Sequence, residues 1–132
     1  MESENPTPIG SMLIAKGALC TIYKKIWISC SHQIIHPSYK GKCSTLHGHN
    51  YKVEVWLTGK LGEIGMVLDF NLIKDIVNQY DHKHLNDEIG TTTPTAEVIA
   101  MIISKDILLV NPNINNRVRV WETESSYAEY WS

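Results

Sequence analysis

Between positions 47 and 57 the chain reads His-Gly-His-Asn-Tyr-Lys-Val-Glu-Val-Trp-Leu, and that alternation commits it to a β-strand with one apolar face. Side chains switch faces at every step along a strand, so His47, His49, Tyr51, Val53, Val55 and Leu57 all point the same way. Two imidazoles therefore stand side by side at one end of the strand. Cys43 lies four residues before the first of them. A metal can be held there with a reactive thiol beside it.

A strand of this kind needs a partner, and residues 18–31 supply one. Thr21, Ile22, Tyr23, Ile26, Trp27 and Ile28 make a β-branched and aromatic run that delivers His32 at its end. A polar loop over residues 36–42 follows. Antiparallel pairing of the two strands brings His32 near His47 and His49.

Past a turn region at 59–65, Asp69 can cap a helix in which Leu72, Ile73, Ile76, Val77 and Tyr80 form one stripe at helical spacing. That stripe is a core face, not a site. Residues 81–87, Asp-His-Lys-His-Leu-Asn-Asp, leave the helix rich in titratable groups. Thr93 as N-cap and Pro94 at the first helical position then predict a second helix, with Val98, Ile99, Ile102, Ile103 and Ile107 behind them. Such a broadly apolar helix needs cover on more than one side. After a turn at 111–113, residues 117–121 alternate as a strand, and residues 122–127 turn into a short last strand ending near Trp131. The order β-β-α-α-β-β gives an α+β fold: a four-stranded antiparallel sheet with two helices packed on one face. Its other face and both edges stay open, so an oligomer is expected.

The chain's 132 residues suit one domain that buries about two thirds of its unfolded surface. Pro6, Pro8 and Gly10 mark residues 1–11 as a flexible tail, and the domain is set at 18–132 behind a tail of 1–17. A net charge of -2 leaves no footprint for nucleic acid or an acidic membrane surface. No apolar run approaches the roughly 20 residues that cross a bilayer, and Met1-Glu2-Ser3-Glu4 is acidic where a secretory leader is basic. A cytoplasmic location is expected, with small molecules or copies of the chain itself as partners. Cys20, Cys30 and Cys43 cannot all pair within one chain, so free thiols are expected. Cys20 and Cys30 read as small core residues; Cys43 alone has a chemical context.

In family order, these motifs resemble 6-pyruvoyl-tetrahydropterin synthase and 6-carboxytetrahydropterin synthase, a family built on the tunnelling fold. The resemblance covers residue 18 onward. It rests on His32, on Cys43 with the run 47–51, on Gly-Met-Val-Leu-Asp-Phe at 65–70, on Asp-His-Lys-His-Leu-Asn at 81–86, on Pro-Thr-Ala-Glu at 94–97, and on Glu122-Thr123. The spacer between Cys43 and His47, which is Ser44-Thr45-Leu46, resembles the carboxy-forming branch that serves the 7-deazaguanine pathway to queuosine. The pyruvoyl-forming branch has a longer insertion there. The chain departs from the family at 28–32, Ile-Ser-Cys-Ser-His, where a phenylalanine and small residues are usual. His32 stays in place, but Cys30 adds a thiol nearby, with consequences for metal choice or oxidation.

The resemblance implies a zinc-dependent lyase acting on 7,8-dihydroneopterin triphosphate. Its products would be 6-carboxy-5,6,7,8-tetrahydropterin, acetaldehyde and triphosphate. His32, His47 and His49 would hold Zn2+, a three-histidine set that keeps positions open for substrate. The implied catalytic set is Cys43, Asp81, His82 and Glu122. Cys43 would move protons on the substrate side chain, with His82, oriented by Asp81, reached from a neighbouring subunit or loop. Asp81-His82 also reads as a cap cluster at a helix end. Glu122 would accept the pterin's ring N–H and exocyclic amine together. Thr95 and Glu97 resemble further pterin contacts, although Glu97 also reads as an ordinary acid at a helix N-terminus. Lys40 and Lys42 either meet the triphosphate or are solvated loop lysines. A homohexamer of two trimers is implied. Two other readings stay open: the pyruvoyl product, and a pterin- or purine-binding module without turnover.

Overall fold

The computed structural model describes residues 8–132. The alternating stretch forms β2, His47–Lys60, and the run before it forms β1, Leu19–His32. They pair antiparallel with His32 opposite His47 and Cys30 opposite His49. β3, Asn115–Thr123, and β4, Ser126–Trp131, complete a four-stranded sheet in the order β1-β2-β3-β4, antiparallel throughout.

Alternation decides which face is covered. Tyr51, Val53, Val55 and Leu57 of β2 are fully buried, beside Ile26, Ile28 and Cys30 of β1 and Val118 and Val120 of β3. Over this floor lie α2, Phe70–Asn78, with Ile73, Ile76 and Val77 buried, and α3, Ala96–Val110, with Ile99, Ile103 and Ile107 buried. Each such side chain contributes about 1.5–3 kcal/mol of burial, which is what holds the strand register. Asp69 caps α2 as expected, accepting from the Asn71 N–H at 2.8 Å. The helices are tied together where Tyr80 Oη and Gln79 Nε2 both donate to the Asp106 carboxylate on α3.

The opposite face is polar and aromatic in rungs. Trp27, Lys52, Trp121 and Tyr127 lie across the sheet in register, as do Trp56, Arg117 and Trp131. Lys52 Nζ sits 4.5 Å from the Trp121 ring and the Arg117 guanidinium 4.1 Å from the Trp56 ring. Among the described residues, no helix is long and apolar enough to cross a membrane.

The structure departs from the sequence reading in three places. Within the segment expected as tail, Ile9–Ala15 forms a helix, α1. Gly17, at φ 66°, lets the chain close it: the Gly17 N–H bonds the Ile14 carbonyl and the Ala18 N–H bonds the Leu13 carbonyl. Residues 1–7 of that tail lie outside the described residues. Cys20, expected in the core, is exposed, because it lies near the start of β1 beyond the cover of the helices. α3 begins two residues later than Thr93-Pro94 suggests. Thr95 is its N-cap and accepts from the Val98 N–H at 3.2 Å, while Thr93 and Pro94 remain in the preceding loop. Pro94 is held there because its carbonyl is engaged by His32.

Thr95→Ala is therefore expected to lower stability by about 1 kcal/mol in urea unfolding, and Thr95→Ser to restore most of it. Equal stability of all three proteins would exclude the cap.

Candidate metal centre

His32, His47 and His49 share the helix-covered face of the sheet and converge at its end. Two backbone carbonyls fix their chemistry. His32 Nδ1 is 2.9 Å from the Pro94 carbonyl oxygen, and His47 Nδ1 contacts the Thr45 carbonyl oxygen. A carbonyl only accepts, so in each neutral ring Nδ1 carries the proton and Nε2 is a bare lone pair. Those two Nε2 atoms stand 2.9 Å apart, and His47 Nε2 is also 2.9 Å from His49 Nε2. The rings meet edge-on, at interplanar angles of 64°, 78° and 88°, so nitrogens converge where faces would otherwise stack. Burial lowers the His49 pKa, against the opposing pull of Glu122, and favours its neutral form. Facing lone pairs repel each other unless a cation lies between them. A tetrahedral ion with bonds of about 2.0–2.1 Å holds its donor atoms roughly 3.3 Å apart, close to the spacing found. The donor set fits a metal ion.

Two further donors reach the same point. Ligand atoms of His32, Cys43, His47, His49 and Glu122 all lie within 4.8 Å of one another. Cys43 sits in a short 3-10 turn, Lys42–Ser44, stitched to the segment after β1 by the Ile34 N–H on the Cys43 carbonyl at 2.7 Å. Its own N–H donates to the Tyr39 hydroxyl at 3.1 Å. Gly41 allows that contact, since a Cβ there would fall 2.3 Å from the Tyr39 oxygen. Asn86 secures the loop from the far side, exchanging hydrogen bonds of 2.9 and 2.7 Å with the Gln33 backbone. Glu122 enters where the β3–β4 register shifts between Trp121 and Thr123, an irregularity of the kind that re-aims a side chain. Its Oε1 is 3.3 Å from His49 Nε2 and 3.8 Å from Cys43 Sγ.

Asp81 and His82 stand elsewhere. They lie outside the five-donor cluster and run along the free edge of β1, where the His82 N–H bonds the Ser29 carbonyl at 2.7 Å. The Asp81 carboxylate accepts from the Ser29 N–H at 2.8 Å and is 2.9 Å from His82 Nδ1. The Ser29 hydrogen bond, with help from His82, holds this carboxyl below its usual pKa. Its partners are Ser29 on β1 and the adjacent His82 ring, not groups at the end of α2, unlike those of a helix cap. His82 is held at φ 58° with its ring 81% exposed, a strained conformation of the kind found at functional sites. Glu97 and Glu122 line one cavity of about 410 Å³ together with Ser126 and Tyr127 of β4. Thr95 caps α3 beside it, and Lys40 and Lys42 are exposed.

Cys30 is insulated from this chemistry. Its thiol donates to the Tyr80 carbonyl at 3.0 Å, and burial, with the Asp81 charge, pushes its pKa up to about 12. Sequence reasoning overlooked one group, the Tyr51 hydroxyl. It is buried without a hydrogen-bond partner among the described residues, on a ring whose centroid is 5.4 Å from that of His49. The alternation that aligned the histidines had already placed Tyr51 beneath them. An unpaired buried hydroxyl leaves one hydrogen bond for a ligand or water.

Comparison with known proteins points one way. A family model described as 6-pyruvoyl tetrahydropterin synthase matches residues 21–132. A protein of Archaeoglobus fulgidus is 44% identical over 110 residues, covering 79% of this chain and 92% of that protein. The Synechocystis 6-carboxy-5,6,7,8-tetrahydropterin synthase is 35% identical, covering 84% of this chain and 92% of its own length. The Bacillus subtilis protein of the same name is 33% identical, covering 81% and 82%. Among solved structures, Caenorhabditis elegans 6-pyruvoyl tetrahydropterin synthase superposes with a TM-score of 0.70 at 25% identity, covering 86% of this chain and 96% of that one.

The geometry predicts one bound divalent ion per chain. His32→Ala and His47→Ala should each bring metal content far below one equivalent by plasma mass spectrometry, while Cys30→Ala leaves it unchanged. Full occupancy in the histidine variants would refute the assigned ligands.

Proposed function

The chain belongs to the 6-pyruvoyl tetrahydropterin synthase family, and from that premise we propose that it is the carboxy-forming enzyme. It converts 7,8-dihydroneopterin triphosphate to 6-carboxy-5,6,7,8-tetrahydropterin, acetaldehyde and triphosphate, on the route to 7-deazaguanines such as queuosine. The observation that carries this reading is the meeting of three histidine nitrogens with a thiol and a carboxylate, in a chain whose named relatives include carboxy-forming synthases.

Zinc is the ion this reading assigns to the three imidazoles, where it would supply a Lewis acid beside the substrate's side-chain hydroxyls. The protein's own residues do the rest. The Pro94 and Thr45 carbonyls keep the His32 and His47 rings in the ligating tautomer. Cys43 takes and returns protons on the substrate side chain, from a loop fixed through Tyr39, Ile34 and Asn86. Glu122 accepts the ring N–H and exocyclic amine of the pterin in a fork, and Glu97 borders the same cavity. That cavity is of a size usual for small-molecule sites. Asp81 fixes the tautomer of His82 as a second proton-transfer group. The exposure of His82, and its place outside the five-donor cluster of its own chain, support a role at the site of a neighbouring copy. Such sharing requires an oligomer, which the family resemblance assigns as a hexamer of two trimers.

Incubation of the zinc-loaded protein with 7,8-dihydroneopterin triphosphate should release acetaldehyde and triphosphate together. Triphosphate without acetaldehyde would assign the pyruvoyl product instead. Cys43→Ala should lower turnover by on the order of 10²–10⁴-fold with zinc retained; unchanged turnover would remove Cys43 from the chemistry. Subunits carrying Cys43→Ala and subunits carrying His82→Ala, each inactive alone, should regain activity when co-assembled. Failure of stable mixed assemblies to do so would place His82 at the site of its own chain.

A further inference from the structure

A second cavity, of about 400 Å³, opens on the other face of the sheet beside His82, and the scheme above leaves it without a role. Ser29, Ser31 and Asn50 line it from the sheet, next to Cys30 and His49 of the metal-bearing face, and His82, Lys83 and His84 from the segment along β1. Ser29, Ser31, Asn50, His82, Lys83 and His84 all carry donors, and no carboxylate lines the cavity. The nearest acid in sequence, Asp81, has its carboxylate committed to the Ser29 N–H and His82 Nδ1. Among the described residues, Lys83 makes no ion pair.

The cavity is also built to keep its shape. The Ser31 N–H bonds the Lys83 carbonyl at 3.1 Å, Ser31 Oγ is 2.9 Å from His84 Nδ1, and Ser29 Oγ donates to Asn50 Oδ1 at 2.7 Å. Leu85, next along the segment, is fully buried and anchors it. Gly48 keeps the floor open, since a Cβ there would press on the Cys30 carbonyl at 3.3 Å.

A rigid cavity lined by an unpaired ammonium, imidazoles, hydroxyls and an amide, and free of carboxylates, selects a multiply charged anion. We infer that it binds the triphosphate end of the substrate while the reacting carbons lie against His82 of the same copy. This rests on the function proposed above. A substrate held by the metal centre of one chain and reached by His82 of the next would extend its charged end into this cavity. Lys83 and His84 then take the triphosphate contacts for which Lys40 and Lys42 were the sequence candidates. All three lysines are exposed, but Lys83 alone lines this cavity and follows directly on the proton-transfer residue.

Inorganic triphosphate titrated calorimetrically into the zinc-loaded protein provides the test. Lys83→Ala and His84→Gln should each weaken binding at least tenfold, with zinc content and melting temperature unchanged. Lys42→Ala, and Lys52→Ala on the same sheet face, should bind as the parent does. In turnover, Lys83→Ala should raise KM about tenfold with a much smaller change in kcat. Triphosphate affinity indifferent to Lys83, or lost equally in Lys42→Ala, would overturn the proposal. The two readings fail separately. Acetaldehyde formation with triphosphate binding indifferent to Lys83 would remove the cavity and keep the function. Lys83-dependent binding without acetaldehyde would do the reverse.

Discussion

Two bare imidazole nitrogens, His32 Nε2 and His47 Nε2, are fixed 2.9 Å apart by carbonyls behind them. The arrangement is repulsive, so the metal centre cannot be what organises the sheet before an ion arrives. The organising force is the core. Val53, Val55 and Leu57 on β2, facing Ile26 and Ile28 on β1, fix a register that a slip of one residue would invert, turning every apolar side chain and every imidazole to the wrong face. The histidines follow a register that hydrophobic burial sets. An ion that relieves their repulsion then binds only the folded chain and adds to its stability by mass action.

This division of labour explains what could be read in advance. His47, His49 and Tyr51 were legible because strand alternation is local. His32 followed once the two strands were paired. Thr95 was misjudged because Thr93 and Thr95 are both competent caps, and a tertiary contact, the Pro94 carbonyl on His32, chooses between them. α1 was missed because prolines and a glycine dominated the reading of its segment, while Gly17, the residue that closes the helix, lay beyond it. The motif at 81–82 was visible, but its position along the free edge of β1 depends on the whole chain path. Glu122 was recognised as a strand-end carboxylate. Its approach to His49 arises from an irregularity in strand pairing that no local pattern encodes.

The thiols show how far environment outweighs residue type. Cys30 and Cys43 both lie near the histidines, but only Cys43 has a chemical context in the sequence. Cys30 points into the core, where its proton is given to the Tyr80 carbonyl and burial keeps it protonated. Cys43 sits on a tethered turn at the mouth of the cluster, within reach of Glu122. Cys30 therefore adds a sulfur near the histidines without adding a ligand.

The aromatic rungs on the far face bear on how such a protein can be observed. Trp27, Trp56, Trp121 and Trp131 are all of its tryptophans, and every one stands on the side of the sheet away from the metal, each with Lys52 or Arg117 over its ring. The aromatic ring beneath the imidazoles is a tyrosine, Tyr51. Indole emission from this chain is thus a reporter of the outer face, responsive to whatever covers or crosses it. Loading of the metal centre, hidden behind the sheet, takes place in the spectral window of a phenol.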